Sequence, residues 1–550
     1  MEMLNIKKLI AIILSLSVVF CVMSTSVSAQ ETPVESAIEE VAAESTIAAE
    51  TATTTQTPET TYTTSVSTTA PATEKTEESV PERPDTAPFR ISVAVNGDPS
   101  SQKGITWYTK ANTSSLVEIV DENGNPVNAP IKYEDVFEFE GNYVHKALVS
   151  GLEAGKTYYY DVGNETVRSA AGKFVTDNND NAFSFVAIAD IQAGNQENFN
   201  KGAKVAQTAL DMIPGAEFMV NLGDFTDDST NEEWDYYDNA MKAVNLNTTL
   251  VPIAGNHDGL GVWDWFNNMF NLDTSESVQN LNGVNYSFDY GNAHFAVLNT
   301  NDLLCVSIAQ LQWLKNDMNS TEKDWKIVFM HKSPYTLGKD AKWPDALYLQ
   351  KSLTKVLDQC DVDLVMSGHD HQYVRTKPLT NNKINDNGTT YVLAGTAGAK
   401  RYEVRPFLAN HFLDTDFIAN LVIQKDGYGN YWNGENWDQT KQSNVGGCFN
   451  AISISGGTLN YNAYILADEP GANGEDVITN VDSFTLTKQE GANIGKATFD
   501  GDNTTSQVEY YLGVVPSFFS LAAYAFGEWL PKFLFMVPDL LESVIVYDIF

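Results

Sequence analysis

Cysteine is scarce in this chain of 550 residues: Cys21, Cys305, Cys360 and Cys448 are all there is. Four thiols spread so widely do not make a disulfide framework, and no pair has zinc-site spacing, so the three beyond the N-terminus are read as buried thiols. Basic residues are also few, 34 Lys plus Arg against 72 Asp plus Glu, giving a formal charge of −38 and a pI of about 4.4. Such a surface repels nucleic acid and anionic membranes, which excludes a phosphate-rich polymer as the expected partner; the acidity keeps the protein soluble. Long apolar runs are missing except near the ends. The run Leu9 to Val22 follows Lys7 and Lys8, precedes Val27-Ser28-Ala29 and is short for a membrane span. It reads as a signal peptide over residues 1–29, hence an exported, secreted or cell-surface protein, with an uncleaved anchor as the alternative. Phe20 before Cys21 argues against a lipoprotein site.

What is present suffices for a sizeable core: 43% of residues are hydrophobic and 19% charged. Residues 30–88 are dominated by Thr, Glu, Ala, Ser and Pro and read as a disordered linker. Residues 89–177 change to short strand-like runs, such as Ile105 to Tyr108 and Val117 to Val120, separated by turns at Asn96-Gly97, Asn123-Gly124 and Glu140-Gly141. These predict a small all-β sandwich. Residues 181–488 alternate apolar runs with helix-like segments at Gly202 to Ile213 and Gln310 to Met318, the pattern of an α/β domain. Residues 489–550 form an extension. Its apolar tail, Val514 to Phe550, is broken by Pro516, Glu528, Pro531 and Lys532, and is read as a packed or membrane-surface helix, leaving surface association open.

Five apolar runs in 181–488 end in polar motifs. Phe183 to Ala189 ends at Asp190-Ile191-Gln192, and Phe218 to Leu222 at Gly223-Asp224-Phe225-Thr226-Asp227. Leu250 to Ala254 ends at Gly255-Asn256-His257-Asp258, Ile327 to Met330 at His331, and Val362 to Met366 at Gly368-His369-Asp370-His371. Each candidate therefore lies past the carboxyl end of a buried strand, where α/β folds place their sites. Any one block alone is ordinary loop chemistry, but four of the chain's seven histidines fall inside this ordered set. His294 falls outside it and is read as structural.

The motifs resemble the calcineurin-like metallophosphoesterases, and His369-Asp370-His371-Gln372-Tyr373-Val374-Arg375-Thr376 looks most like the purple acid phosphatase branch. Leu148 to Tyr160 likewise resembles part of a fibronectin type III-like module, which that branch carries ahead of its catalytic domain. The resemblance implies a fold of α/β/β/α layers, a β-sandwich flanked by helices, behind the small all-β sandwich. It also implies two metal ions bridged by Asp224, with Asp190 and His371 completing one site and Asn256, His331 and His369 the other. Two adjacent cations need such a shared anionic ligand. A metal-bridging hydroxide would attack the phosphorus of a small phosphate ester, with His257 assisting the leaving group. Asp258 would orient that imidazole or cap the following turn.

Two positions depart from the family pattern. Gln192 stands where most relatives have His, and either coordinates weakly through its carbonyl or hydrogen-bonds nearby. Asp227 stands where purple acid phosphatases have a Tyr ligand, and either ligates or supports its loop. A colourless Mn, Zn, Fe or Co enzyme is expected. The competing reading is a degenerate, non-catalytic surface-binding protein that uses its fibronectin-like module. Specificity is expected from the loops Gly259 to Leu281 and Tyr402 to Trp437.

Overall fold

In the computed structural model, residues 84–258, 264–278, 283–301, 305–338, 344–402, 417–425, 431–432, 437–438 and 445–488 are described. The expected signal peptide, nearly all of the linker, the C-terminal extension, both ends of the proposed specificity loop Gly259 to Leu281 and most of the loop Tyr402 to Trp437 lie outside them.

Alternation along the strands decides the layering. In Ala182–Ile188, Phe183, Phe185 and Ala187 face one core while Val186 and Ile188 face another. The same split recurs in Trp325–Phe329, where Ile327 and Phe329 join the first core and Val328 a third. A strand apolar on both faces has to be covered on both faces. The first core thus lies between two sheets. The second lies between one sheet and helices Gln196–Met212 and Asn231–Asn247, and the third between the other sheet and helices Ile308–Ser320 and Leu353–Gln359. This is the expected α/β/β/α arrangement. Helix starts are set locally: Asn195 caps the first, and Thr230 and Glu233 form a reciprocal capping box on the second.

The first sheet has parallel strands Ala182–Ile188, Ala216–Asn221 and Thr249–Pro252 at its heart, flanked on one side by the antiparallel Gly446–Ser455, Thr458–Ala467 and Ile478–Thr487. The second places Ala293–Val297, Trp325–Phe329, Leu364–Ser367 and Thr390–Ala394 in parallel.

The all-β module differs from a bead on a string. Its strand Phe89–Ala94 pairs in parallel with Thr249–Pro252, through Val93 opposite Thr249 and Ala94 opposite Leu250. The first sheet thereby continues into Lys103–Thr109 and Asn142–Val149, reaching eleven strands among the described residues. A three-stranded sheet of Leu116–Asp121, Thr157–Gly163 and Gly172–Val175 closes the sandwich over a core that includes Val93, Trp107, Ile119 and Val162. At the seam Arg90, fully buried, holds Asp235 Oδ1 at 2.7 Å and the Asn231 carbonyl at 2.8 Å, with its guanidinium 5.0 Å from the Trp265 ring.

His294 is structural. Its Nδ1 lies 2.7 Å from Asp289 Oδ1 and its Nε2 2.9 Å from Asp317 Oδ2. Burial disfavours its charge, but the two carboxylates outweigh burial and raise it to about 9 from 6.5. A folded value above the unfolded one means this charge stabilises fully below about pH 6.5 and ceases to as pH climbs through 9. The stability gap between wild type and His294→Leu, measured by urea unfolding, is therefore expected to hold steady from about pH 5 to 6.5 and to narrow towards pH 9.

Candidate metal centre

The five motifs meet because two sheets end at the same edge. Asp190, Asp224 and Asn256 follow the three neighbouring parallel strands of the first sheet, while His331 and His369 follow Trp325–Phe329 and Leu364–Ser367 of the second. Two triads result, Asp224 with His331 and His369, and Asp190 with Asp224 and His371, the ligand-capable atoms of each lying within 4.8 Å of one another. Asp224 belongs to both. Asn256 joins the first triad, its Oδ1 3.1 Å from His331 Nε2.

Hydrogen bonds choose which nitrogen each imidazole presents. His331 Nδ1 donates to the Leu222 carbonyl at 2.8 Å, leaving Nε2 beside Asp224 Oδ2 at 3.2 Å. His371 Nδ1 is engaged by the Lys400 carbonyl, which leaves Nε2 3.7 Å from Asp190 Oδ1. The charges are closely interdependent. Burial, reinforced by the like charge of Asp224, pushes Asp190 well above the usual carboxylate range. Asp224 is equally buried, yet the His331 charge and hydrogen bond overcome burial and hold it low. His331 is pushed up to about 9, burial opposing and Asp224 and Asp190 prevailing. Burial and the neighbouring His331 charge push His369 well down. A pair of desolvated carboxylates beside imidazole nitrogens is a donor set that fits borderline divalent cations. The buried Gln192 Oε1, which accepts no hydrogen bond among the described residues, is a further oxygen donor of the right kind.

The remaining predicted residues lie at the rim or beneath. Gln192 Nε2 donates to Asp227 Oδ1 at 3.1 Å. The His257 ring is held by the Asp227 carbonyl, which meets its Nδ1. Asp258, also considered as the orienter of that ring, instead gives its carboxylate to four backbone amides. Oδ2 accepts from Gly255 at 2.7 Å and Asp224 at 3.0 Å; Oδ1 accepts from Phe225 at 2.7 Å and Thr226 at 3.4 Å. Neither expectation for Asp258 describes this arrangement, because the amides belong to Gly255 and to the Asp224 turn, not to the His257 ring or to a turn that follows Asp258. Burial, with the Asp224 charge added, raises the Asp258 carboxyl to about 7 against the pull of those amides.

The backbone itself is unusual here. Asp190, Gln192, Asp224, His369 and His371 have φ of 53°, 30°, 53°, 85° and 45°, a region that costs a side-chain-bearing residue about 1–3 kcal/mol. Close packing enforces it. A Cβ on Gly255 would come within 2.1 Å of the Asp224 amide nitrogen, and one on Gly398 within 2.3 Å of the Ile191 carbonyl oxygen. Thr396 Oγ1 adds a 2.7 Å bond to the Asp190 carbonyl.

Sequence reasoning missed Lys400, Tyr402 and Thr396. Tyr402 stacks on the His371 ring at 4.2 Å between centroids and 17° between planes. Their one signal is position, in or just beyond the Gly395-Thr396-Ala397-Gly398 turn. Because Asp258 organises the loops without facing the triads, Asp258→Ala is expected to weaken metal retention roughly tenfold to a hundredfold, read as metal per chain after dialysis.

Known proteins share this architecture. Residues 183–373 match the family model of the calcineurin-like phosphoesterases, and residues 88–176 that of the purple acid phosphatase N-terminal domain. Purple acid phosphatase 22 of Arabidopsis thaliana is 23% identical over 381 residues, covering 65% of this chain and 83% of its own. Acid phosphatase type 7 of Danio rerio is 22% identical over 367 residues, 57% of this chain and 79% of its own. Among solved structures, a purple acid phosphatase from yellow lupin seeds superposes with a TM-score of 0.56 at 17% identity over 73% of this chain and 74% of that one. PhoD does so with 0.51 at 14% identity over 80% and 99%; at these identities both show the fold alone. Residues 183–373 thus match a calcineurin-like phosphoesterase domain behind a purple acid phosphatase N-terminal domain, and the chain is similar to the purple acid phosphatases.

Proposed function

We propose that this chain is an exported two-metal hydrolase of small phosphate esters, with residues 89–177 as its leading module and 181–488 as its catalytic domain. Asp224 carries the reading, because one carboxylate common to two triads is what a pair of adjacent cations requires. When bound, two ions of Mn, Zn, Fe or Co would supply Lewis acidity and an acidified water as nucleophile. The chain supplies the rest. Asp190, His371 and the Gln192 carbonyl would hold one ion; His331, His369 and Asn256 would hold the other. His331, His369, His371, Asn256 and Gln192 bring no negative charge of their own as ligands, which preserves the electrophilicity of the centre.

His257 is suited to the leaving group. Its Nδ1 is occupied by the Asp227 carbonyl, so its other nitrogen is the one able to pass a proton to the departing oxygen. The side chain is 22% exposed, against 0–1% for His331 and His371, so it can reach a substrate.

The test is turnover of p-nitrophenyl phosphate and bis-p-nitrophenyl phosphate by protein loaded separately with Mn, Zn, Fe and Co. Asp224→Asn is expected to abolish turnover and to lower bound metal, since it removes the shared charge. His257→Asn is expected to lower kcat roughly 10²- to 10⁴-fold with metal content unchanged. A chain that holds two ions and turns over neither ester would overturn hydrolysis and leave surface binding as the role.

A further inference from the structure

The ion pair of Asp227 and Lys400 sits on the accessible side of the metal centre. Lys400 Nζ lies 2.7 Å from Asp227 Oδ1, the same oxygen that accepts from Gln192. Both partners are fixed by their main chains to the site, Lys400 through its carbonyl on His371 and Asp227 through its carbonyl on His257. The ammonium is therefore delivered by the same loops that set two of the site's imidazoles.

Access points the same way. The side chains of Asp190, Asp224, His331 and His371 are at most 1% exposed, whereas those of Asp227 and Lys400 are 34% and 37% exposed. The pair is thus the solvent-facing part of this hydrogen-bonded set, where an anionic group arriving from water can meet the ammonium. Among the described residues, two other cations near the motifs in sequence are already committed: Lys332 lies 3.1 Å from Asp345, and Arg401 holds Asp468 with both terminal nitrogens. In a chain of net charge −38, an exposed ammonium beside the centre counters a field that otherwise repels an anionic ester.

We propose that Lys400 is a substrate-binding residue. Its ammonium shifts from Asp227 to a non-bridging phosphoryl oxygen and so selects phosphomonoesters over diesters. This rests on the phosphoester hydrolase reading above. A monoester presents up to two negative charges on bare oxygens, each able to take a charge-assisted hydrogen bond. A diester offers one charge and sets a second organic arm where the ammonium has to approach. Asp227 then serves as the resting partner of Lys400 and as the fixture for the Gln192 amide, rather than as a metal ligand. The amide orientation follows from charge: turned over, Gln192 would set its carbonyl oxygen against the Asp227 carboxylate.

Lys400→Met, Lys400→Arg and Asp227→Asn, made in the metal-loaded full chain, test this beside Asp224→Asn. Three readouts are taken: affinity for inorganic phosphate by calorimetry, metal per chain, and kcat/KM for the two nitrophenyl esters. Lys400→Met is expected to bind inorganic phosphate roughly tenfold to a hundredfold more weakly, and to lose the same factor on the monoester. Its loss on the diester is expected to be several-fold smaller. Lys400→Arg is expected to keep most of the phosphate affinity, and Asp227→Asn its full metal content. Unchanged phosphate affinity in Lys400→Met, or equal losses on both esters, overturns the proposal. So does the loss of an ion from Asp227→Asn, which would make Asp227 a ligand. Failure of the underlying reading is distinct: wild type itself would then show no metal-dependent turnover, and phosphate calorimetry would still decide the role of Lys400.

Discussion

Two carboxylates closed off from water, Asp190 and Asp224, are the constraint to which the rest of the site conforms. Desolvated like charges so close repel, and each would be costly alone in a protein interior. The structure meets this with directed groups from both sheets. The His369 amide donates to Asp190, the His257 amide donates to Asp224, and the His331 imidazole stands between them, 3.2 Å from Asp224 Oδ2 and 4.0 Å from Asp190 Oδ1. Those partners come from loops that follow different strands. The site therefore depends on the two sheets ending together, and the large aromatic core that joins them serves the chemistry as much as the fold.

The left-handed backbone at Asp190, Gln192, Asp224, His369 and His371 follows from the same demand. A strand delivers its side chains to alternate faces, whereas this site needs them to turn in over the strand ends. The Asp190 and Asp224 turns are locked from outside, by Gly255 and Gly398 where a Cβ has no room, by Thr396, and by Asp258 with its four amides. Strain of this kind persists only where the surroundings over-determine it.

The residues that meet at the centre were legible because each follows an apolar run. Buried parallel strands read as continuous hydrophobic segments, and what comes next in the chain is at the site. The layers were legible for a similar reason, since the runs alternate with helical periodicity. What could not be read off is whatever depends on a partner remote in sequence. Asp258 looked like an aid to its neighbour His257, because the amides it actually binds, mostly in the Asp224 turn, carry no sequence signature. Lys400 and Tyr402 follow a glycine-rich turn with no motif of their own. The pairing of Phe89–Ala94 with Thr249–Pro252 likewise leaves no local mark, so two domains that look separable share one sheet.

That shared sheet also orders events in time. Phe89–Ala94 can pair early with Lys103–Thr109, but its other edge waits for a strand about 150 residues further along the chain. At a synthesis rate of 5–20 residues per second the delay is roughly seven to thirty seconds, during which a completed hairpin carries an unpaired edge. Contacts so remote slow folding because the closure entropy precedes any reward. The leading module thus reaches its final form only after the domain behind it has begun to assemble, and its folding rate is set by residues it does not contain.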